Sequence, residues 1–166
     1  LGAGIWQANR FTLATEEEIF QDEIIHAKDT PYQRIVLTRG RGSFQLFLNG
    51  NLQFSSADEY RYHESLVHPA FAARAGARRV LVCGGGDGLA VREVLRHPEV
   101  TEVVLIDLDP EMTRMATEQP MLRELNRRAL SDQRVKVVNQ DAMVWLQEQP
   151  AVKPFDLAVI DFPDPN

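Results

Sequence analysis

The chain has 166 residues, 44% of them hydrophobic and 25% charged, with a formal net charge of -6; this suits a globular domain with one sizeable core, and it leaves no basic stripe for a nucleic-acid partner. Cys83 is the single cysteine, which rules out an internal disulfide and fits a reducing, cytoplasmic compartment, and no Cys/His cluster has metal-ligand spacing. No apolar run approaches the roughly 20 residues that span a bilayer, so no membrane contact is expected of this chain.

Residues 1 to about 20 read two ways. Thr15 and Glu18 fit a helix-opening capping box, while Phe20, Ile24 and Ile25 fit a strand equally well. From Gln33 onward alternating apolar runs flank Asn49-Gly50, the strongest short hairpin signal, and predict a small antiparallel β unit over residues 1–55. Ser55 and Ser56 followed by Asp58 and Glu59 read as a hydroxyl cap and early acids opening a helix over about 58–74. After Gly76 strand and helix alternate: Arg79–Cys83, a helix from Leu89, Glu102–Ile106, a helix from Pro110, Val135–Val138, a helix from Ala142, and Phe155–Ile160. That repetition predicts an α/β fold, a Rossmann-like, methyltransferase-type parallel sheet over residues 56–166 with helices on both faces. The chain begins at Leu1 and stops soon after a strand, so it is expected to be a piece of something longer, truncated at its C-terminal end.

Cys83-Gly84-Gly85-Gly86-Asp87-Gly88 follows an apolar strand and opens a helix, the setting in which glycines let a nucleotide approach a helix N-terminus. About 20 positions beyond Gly88, Asp107 ends the second strand at the offset where such folds place an acid on ribose hydroxyls. Asp141 and Asp161 end the third and fourth strands, so each strand runs into a carboxylate at the sheet edge that binds ligands. Asp109 before Pro110 reads as a helix cap; for Asp141, cap and adenine contact weigh evenly. Asp87 lies where an adenosyl-amino-acid cofactor would place its methionine tail. A carboxylate there repels S-adenosylmethionine and attracts the sulfonium and ammonium of the decarboxylated form, an attraction of a few kcal/mol at about 4 Å in a partly desolvated cleft. The bland reading of Asp87 is a cap of the following helix. Asp161 and Asp164, held by Pro163 and Pro165, suit a catalytic pair. A polyamine amine has a reference pKa near about 10 and must lose a proton before attacking carbon, and a nearby carboxylate can hold it and take that proton. An ordinary proline-rich turn is the alternative.

Tyr32-Gln33, Asp58-Glu59-Tyr60-Arg61-Tyr62-His63-Glu64, the glycine turn, Ile106-Asp107-Leu108-Asp109, Gln140-Asp141-Ala142 and Asp161-Phe162-Pro163-Asp164-Pro165 occur in the order seen in spermidine synthases, which the chain resembles from about Pro31 to Asn166. The resemblance implies a polyamine aminopropyltransferase whose co-substrate is decarboxylated S-adenosylmethionine, with no prosthetic group and no metal. It implies that Gln33 and His63 contact the cofactor, with Gly84 and Gly86 in its turn. Asp87 would take the aminopropyl ammonium, Asp107 the ribose, and Asp141 the adenine amino group. Tyr62 would line the acceptor site, Asp164 would anchor the acceptor, and Asp161 would be the general base. Phe162 and Pro163 depart from the Ser, Thr or Cys of familiar members, so an acceptor other than putrescine is open. Family analogy adds a homodimer or larger assembly through the N-terminal unit, and the chain is also similar to the soluble domain of bacterial members that carry membrane-spanning segments. Two rivals stand beside this reading, an S-adenosylmethionine methyltransferase and a non-catalytic binding domain of the same fold. His26, His68 and His97 are expected at surface or packing positions, Trp145 is expected in the core, and Trp6 has no assignment.

Overall fold

The structure, a computed structural model, describes residues 22–148 and 153–162. The chain divides into two compact units, Leu1–Asp58 and Glu59–Asn166. The first holds an antiparallel sheet in the order β1-β2-β3-β4, with β1 at Glu23–Asp29, β2 at Arg34–Arg39, β3 at Phe44–Leu48 and β4 at Asn51–Ser55. Asn49 and Gly50 both take positive φ, 51° and 82°, the left-handed pair that lets a two-residue turn follow the strand twist. Pairing of Leu46 with Phe54 then turns the apolar alternation inward. Ile35, Leu37, Phe44, Leu46 and Phe54 are buried, and the Phe44 and Phe54 rings meet edge-on at 6.0 Å. Ile24 and Ile25 take the strand option; Trp6, Thr15, Glu18 and Phe20 lie outside the described residues.

The second unit begins with helix α1 (Glu59–Ala73), followed by β5 (Arg79–Gly84), α2 (Leu89–Leu95), β6 (Glu102–Asp107), α3 (Pro110–Glu118), α4 (Pro120–Leu125), a 3-10 turn (Ala129–Ser131), β7 (Val135–Asn139), α5 (Ala142–Glu148) and β8 (Leu157–Asp161). The strands pair in parallel in the order β7-β6-β5-β8. The chain therefore leaves β5 toward β6 and β7, then crosses back to place β8 on its other side. Such a reversal opens a crevice at the carboxyl ends of the strands. Both faces of the central strands are covered. Trp145 of α5 packs against Leu81, Cys83, Val104 and Ile106, while the alternate residues Val80, Val82, Val103 and Leu105 are fully buried on the opposite face.

Three local expectations are corrected. The Ser56 hydroxyl accepts the Phe44 N–H at 2.9 Å, so it closes the end of β3 instead of opening a helix. The helix from Pro110 is split, because Gln119 precedes Pro120 and is forced out of the helical region, to φ -73° and ψ 118°; its side chain then caps α4 by accepting the Met121 N–H at 2.7 Å. The last strand starts at Leu157, since the Asp156 carboxylate turns aside to accept the Arg78 and Arg79 N–H groups, each at 2.9 Å.

Candidate active site

Register brings the strand ends to one level of the sheet: Gly84 pairs with Asp161, Cys83 with Ile106, and Asp107 with Asn139. Where β5 gives way to the glycine turn, Gly84 has φ 79° and a Cβ there would collide with the Asp161 carbonyl. A Cβ at Gly86 would stand 2.5 Å from Asp107 Oδ2. Side chains at these two positions would force the turn away from β8 and β6, so glycine is what lets the carboxylates crowd around it.

Each carboxylate is held differently. Asp107 accepts the Gly86 N–H at Oδ2 and the Asp109 N–H at Oδ1, both at 2.9 Å. Each oxygen keeps a lone pair with which to accept a hydroxyl. Burial raises the Asp107 pKa; the two amides oppose the shift, and Asp109 and Asp161 add to it. Asp87 accepts the Leu89 N–H at Oδ1, 2.8 Å, so it does close the first turn of α2, using one of its two oxygens. Burial pushes its pKa up to about 6, against the pull of His63 and the Leu89 amide and with the repulsion of Asp161 and Asp107. Asp161 Oδ1 accepts the Tyr62 hydroxyl at 2.8 Å, and its Oδ2 lies over the glycine turn, 2.7 Å from where a Gly85 Cβ would be.

His63, almost wholly buried, reaches the same place from α1. Its Nδ1 lies 2.8 Å from both the Glu59 carbonyl and Glu59 Oε2. Both partners only accept, so Nδ1 carries a proton and Nε2 is the atom left for other partners. Burial disfavours the charged ring, yet Glu59, Asp87 and Asp161 outweigh it and raise the His63 pKa. Glu59 lies in the first turn of α1 as the sequence suggests, but it is buried and gripped by Arg92 of α2 through two bonds of 2.8 and 3.0 Å. Arg92 also donates to Glu93 at 2.8 Å and to the Leu125 carbonyl at 3.0 Å.

The remaining residues fall into place by unit. Asp141 is exposed, and its Oδ1 accepts the Met143 and Val144 N–H groups at 2.8 and 3.0 Å; this is the cap, with Oδ2 still to spare. Asp109 is a cap as well, accepting the Glu111 N–H at 3.0 Å. Gln33 belongs to the first unit, where its N–H donates to Thr30 Oγ1 at 3.0 Å just before β2. Asp164 lies outside the described residues. His68 and His97 are not isolated: their rings share a 3.0 Å contact, and His97 stacks on Phe71. Among the described residues Glu64, His68 and Glu93 bring potential metal-ligand atoms within 4.8 Å of one another, but Arg96 Nη1 already bridges Glu64 and Glu93 at 2.8 and 2.6 Å.

A parallel sheet with a glycine turn at its switch point, ringed by Asp87, Asp107 and Asp161 with no lysine or arginine hydrogen-bonded to them among the described residues, is a Rossmann-like, methyltransferase-type domain. The spermine/spermidine synthase domain family matches residues 59–166, and the chain belongs to that family. It is 55% identical over 164 residues to polyamine aminopropyltransferase 2 of Ralstonia nicotianae, covering 99% of this chain and 32% of that protein. It is 50% identical to polyamine aminopropyltransferase of Leptospira interrogans, covering 98% and 32%. The chain thus spans about a third of the length of the curated relatives it matches. Spermidine synthase from Thermotoga maritima superposes with a TM-score of 0.78 at 26% identity, over 87% of this chain and 48% of that one. A spermidine synthase in complex with the transition-state analogue AdoDATO gives 0.79 at 27% identity, over 86% and 47%.

Proposed function

We propose that the chain is the cofactor-binding part of a polyamine aminopropyltransferase, which moves the aminopropyl group of decarboxylated S-adenosylmethionine to an amine such as putrescine and releases methylthioadenosine. The observation that carries this is the trio Asp87, Asp107 and Asp161 around the glycine turn, with no lysine or arginine hydrogen-bonded to them among the described residues. Like charges held this close in a partly dry crevice raise one another's pKa and are relieved by a bound cation. Decarboxylated S-adenosylmethionine brings two positive charges, at sulfur and at its primary ammonium.

The residues divide the work by the atoms they leave free. Asp87 Oδ2 takes the aminopropyl ammonium. Asp107 accepts the ribose hydroxyls with its remaining lone pairs, Asp141 Oδ2 accepts from the adenine amino group, and His63 completes the nucleoside contacts of this unit. The acceptor amine sits beside Tyr62, its far ammonium on Asp164. Asp161 Oδ1 is occupied by the Tyr62 hydroxyl, so Oδ2 is the oxygen that takes the proton from the attacking amine. The freed nitrogen lone pair forms the new C–N bond at the carbon next to sulfur, and the C–S electron pair returns to sulfur, which becomes the neutral thioether of methylthioadenosine.

A methyltransferase reading meets the same carboxylate with the wrong sign, since the carboxylate of S-adenosylmethionine would face Asp87. Calorimetric titration of decarboxylated S-adenosylmethionine, S-adenosylmethionine and methylthioadenosine tests the proposal. Tighter binding of the decarboxylated form is expected; preference for S-adenosylmethionine would replace aminopropyl transfer with methyl transfer.

A further inference from the structure

The second unit also carries a crevice of the opposite sign. It encloses about 510 Å³ between the C-terminal end of α2, α4 and the 3-10 turn, and its lining includes Arg92, Arg96, Arg123, Asn126, Arg127 and Arg128. Five arginines gathered in one crevice stand out in a chain whose formal net charge is -6. Arg92 and Arg96 are engaged with Glu59, Glu64 and Glu93. Arg123, Arg127 and Arg128 are exposed, and no ion pair holds them among the described residues. Asp132 also lines the crevice, but its carboxylate is taken by two bonds of 2.9 Å from Arg134.

The backbone holds these arginines in an unusual way. Arg127 and Arg128 have φ of 54° and 58°, a left-handed conformation that costs a non-glycine residue on the order of 1–2 kcal/mol. The turn is fixed by the bonds of Arg127 N–H to the Glu124 carbonyl and of Arg128 N–H to the Arg123 carbonyl, both at 3.0 Å, and by Arg128 N–H to Asn126 Oδ1 at 3.0 Å. A turn that required only this shape would be less strained with glycine. Arginine at both positions instead adds two residues with guanidinium forks to the lining that Arg123 shares.

We propose that this crevice binds a soluble polyphosphate anion, one carrying two or more adjacent phosphoryl groups. Guanidinium forks match phosphate oxygens in pairs, and the volume is that of a small-molecule site. The negative charge of the rest of the chain disfavours an extended nucleic acid or an anionic membrane surface and leaves a compact ligand. Two lining residues lead from the crevice to the strand-end site: Arg92 grips Glu59, which holds His63, and Asn126 Nδ2 donates to the Asp87 carbonyl at 2.9 Å. Occupancy would draw Arg92 toward the anion and loosen its hold on Glu59, a link that rests on the function proposed above.

Sodium tripolyphosphate titrated into the chain by calorimetry should give saturable one-to-one binding, tighter than orthophosphate. The double variant Arg127→Gly/Arg128→Gly keeps the left-handed turn without strain and should weaken binding about tenfold or more. Arg41→Gln, an exposed change in the other unit, should leave it unaltered. No saturation, equal affinity in the double variant, equal affinity for orthophosphate, or preference for phosphatidylserine vesicles over tripolyphosphate would each overturn the proposal. This isotherm needs no aminopropyl chemistry, so it stands or falls apart from the proposed reaction. The link is read separately: saturating tripolyphosphate should weaken methylthioadenosine binding about fivefold, and unchanged methylthioadenosine affinity with tripolyphosphate bound would sever it.

Discussion

Two groups of carboxylates leave water in the second unit, and the fold treats them in opposite ways. Between α1 and α2, Glu59 and Glu93 are buried, and that burial alone would raise their pKa values. Bonds from His63 and Arg92 to Glu59, and from Arg96 and Arg92 to Glu93, overcome it and hold both below the usual range. At the strand ends, burial raises the pKa values of Asp87 and Asp107, neighbouring carboxylates add to the rise, and the backbone amides that bond them do not overcome it. The first group is complete without a ligand. The second has His63 nearby but no lysine or arginine bonded to it among the described residues, and the charge it still calls for is the kind its proposed substrate brings. A buried acid with an arginine partner supports structure; one left among like charges is poised for binding.

Breaking the paired group should hurt stability most. Arg92→Ala takes one cationic partner from each of the buried Glu59 and Glu93, leaving them to His63 and Arg96, and should cost about 3–5 kcal/mol, read by denaturant unfolding, whereas Asp87→Asn and Asp107→Asn should cost far less. A small loss for Arg92→Ala would dissolve the contrast. In protein of the relatives' full length, Asp161→Asn should lower aminopropyl transfer by about a hundredfold or more with methylthioadenosine affinity nearly intact; surviving activity would move the base elsewhere. Asp87→Asn should weaken decarboxylated S-adenosylmethionine by about tenfold and spare methylthioadenosine, which has no ammonium. Equal losses would leave Asp87 a cap alone.

The pH dependence sharpens the same point. Asp87 is neutral below its pKa of about 6 and charged above it, and His63, a competing cation with a raised pKa, discharges as pH climbs further. Affinity for the cationic ligand should therefore rise with pH through this range, by up to about tenfold per unit below 6, and more steeply than that for methylthioadenosine, which has no ammonium to meet Asp87. Tyr62→Phe should have the smallest effect, a several-fold loss of turnover for one hydrogen bond worth about 1 kcal/mol.

The parts legible in the sequence are those with local punctuation. Gly88 before Leu89, Asp109 before Pro110 and Asp141 before Ala142 mark helix starts that the structure places at those residues, because a turn or cap is chosen by neighbours in the chain. The strand-end acids were visible for the same reason. The partners of the α1–α2 network were not. Arg92 lies 33 positions from Glu59, and His97 lies 29 from His68, so only the packed fold brings them together. The four-residue spacing of Glu59 and His63 was the one available clue, since it places them on one helix face. The short α4 was missed because six residues after a proline give too little periodicity to detect.

The Glu59–Arg92 pair has a further consequence, for heat. Hydration of ions becomes less favourable as temperature rises, so the cost of holding this pair out of water falls on warming, while the gain from apolar burial levels off. The pair that orients His63 therefore carries a growing share of the unit's stability in warm conditions. On cooling, the same support is the part of the site that weakens first.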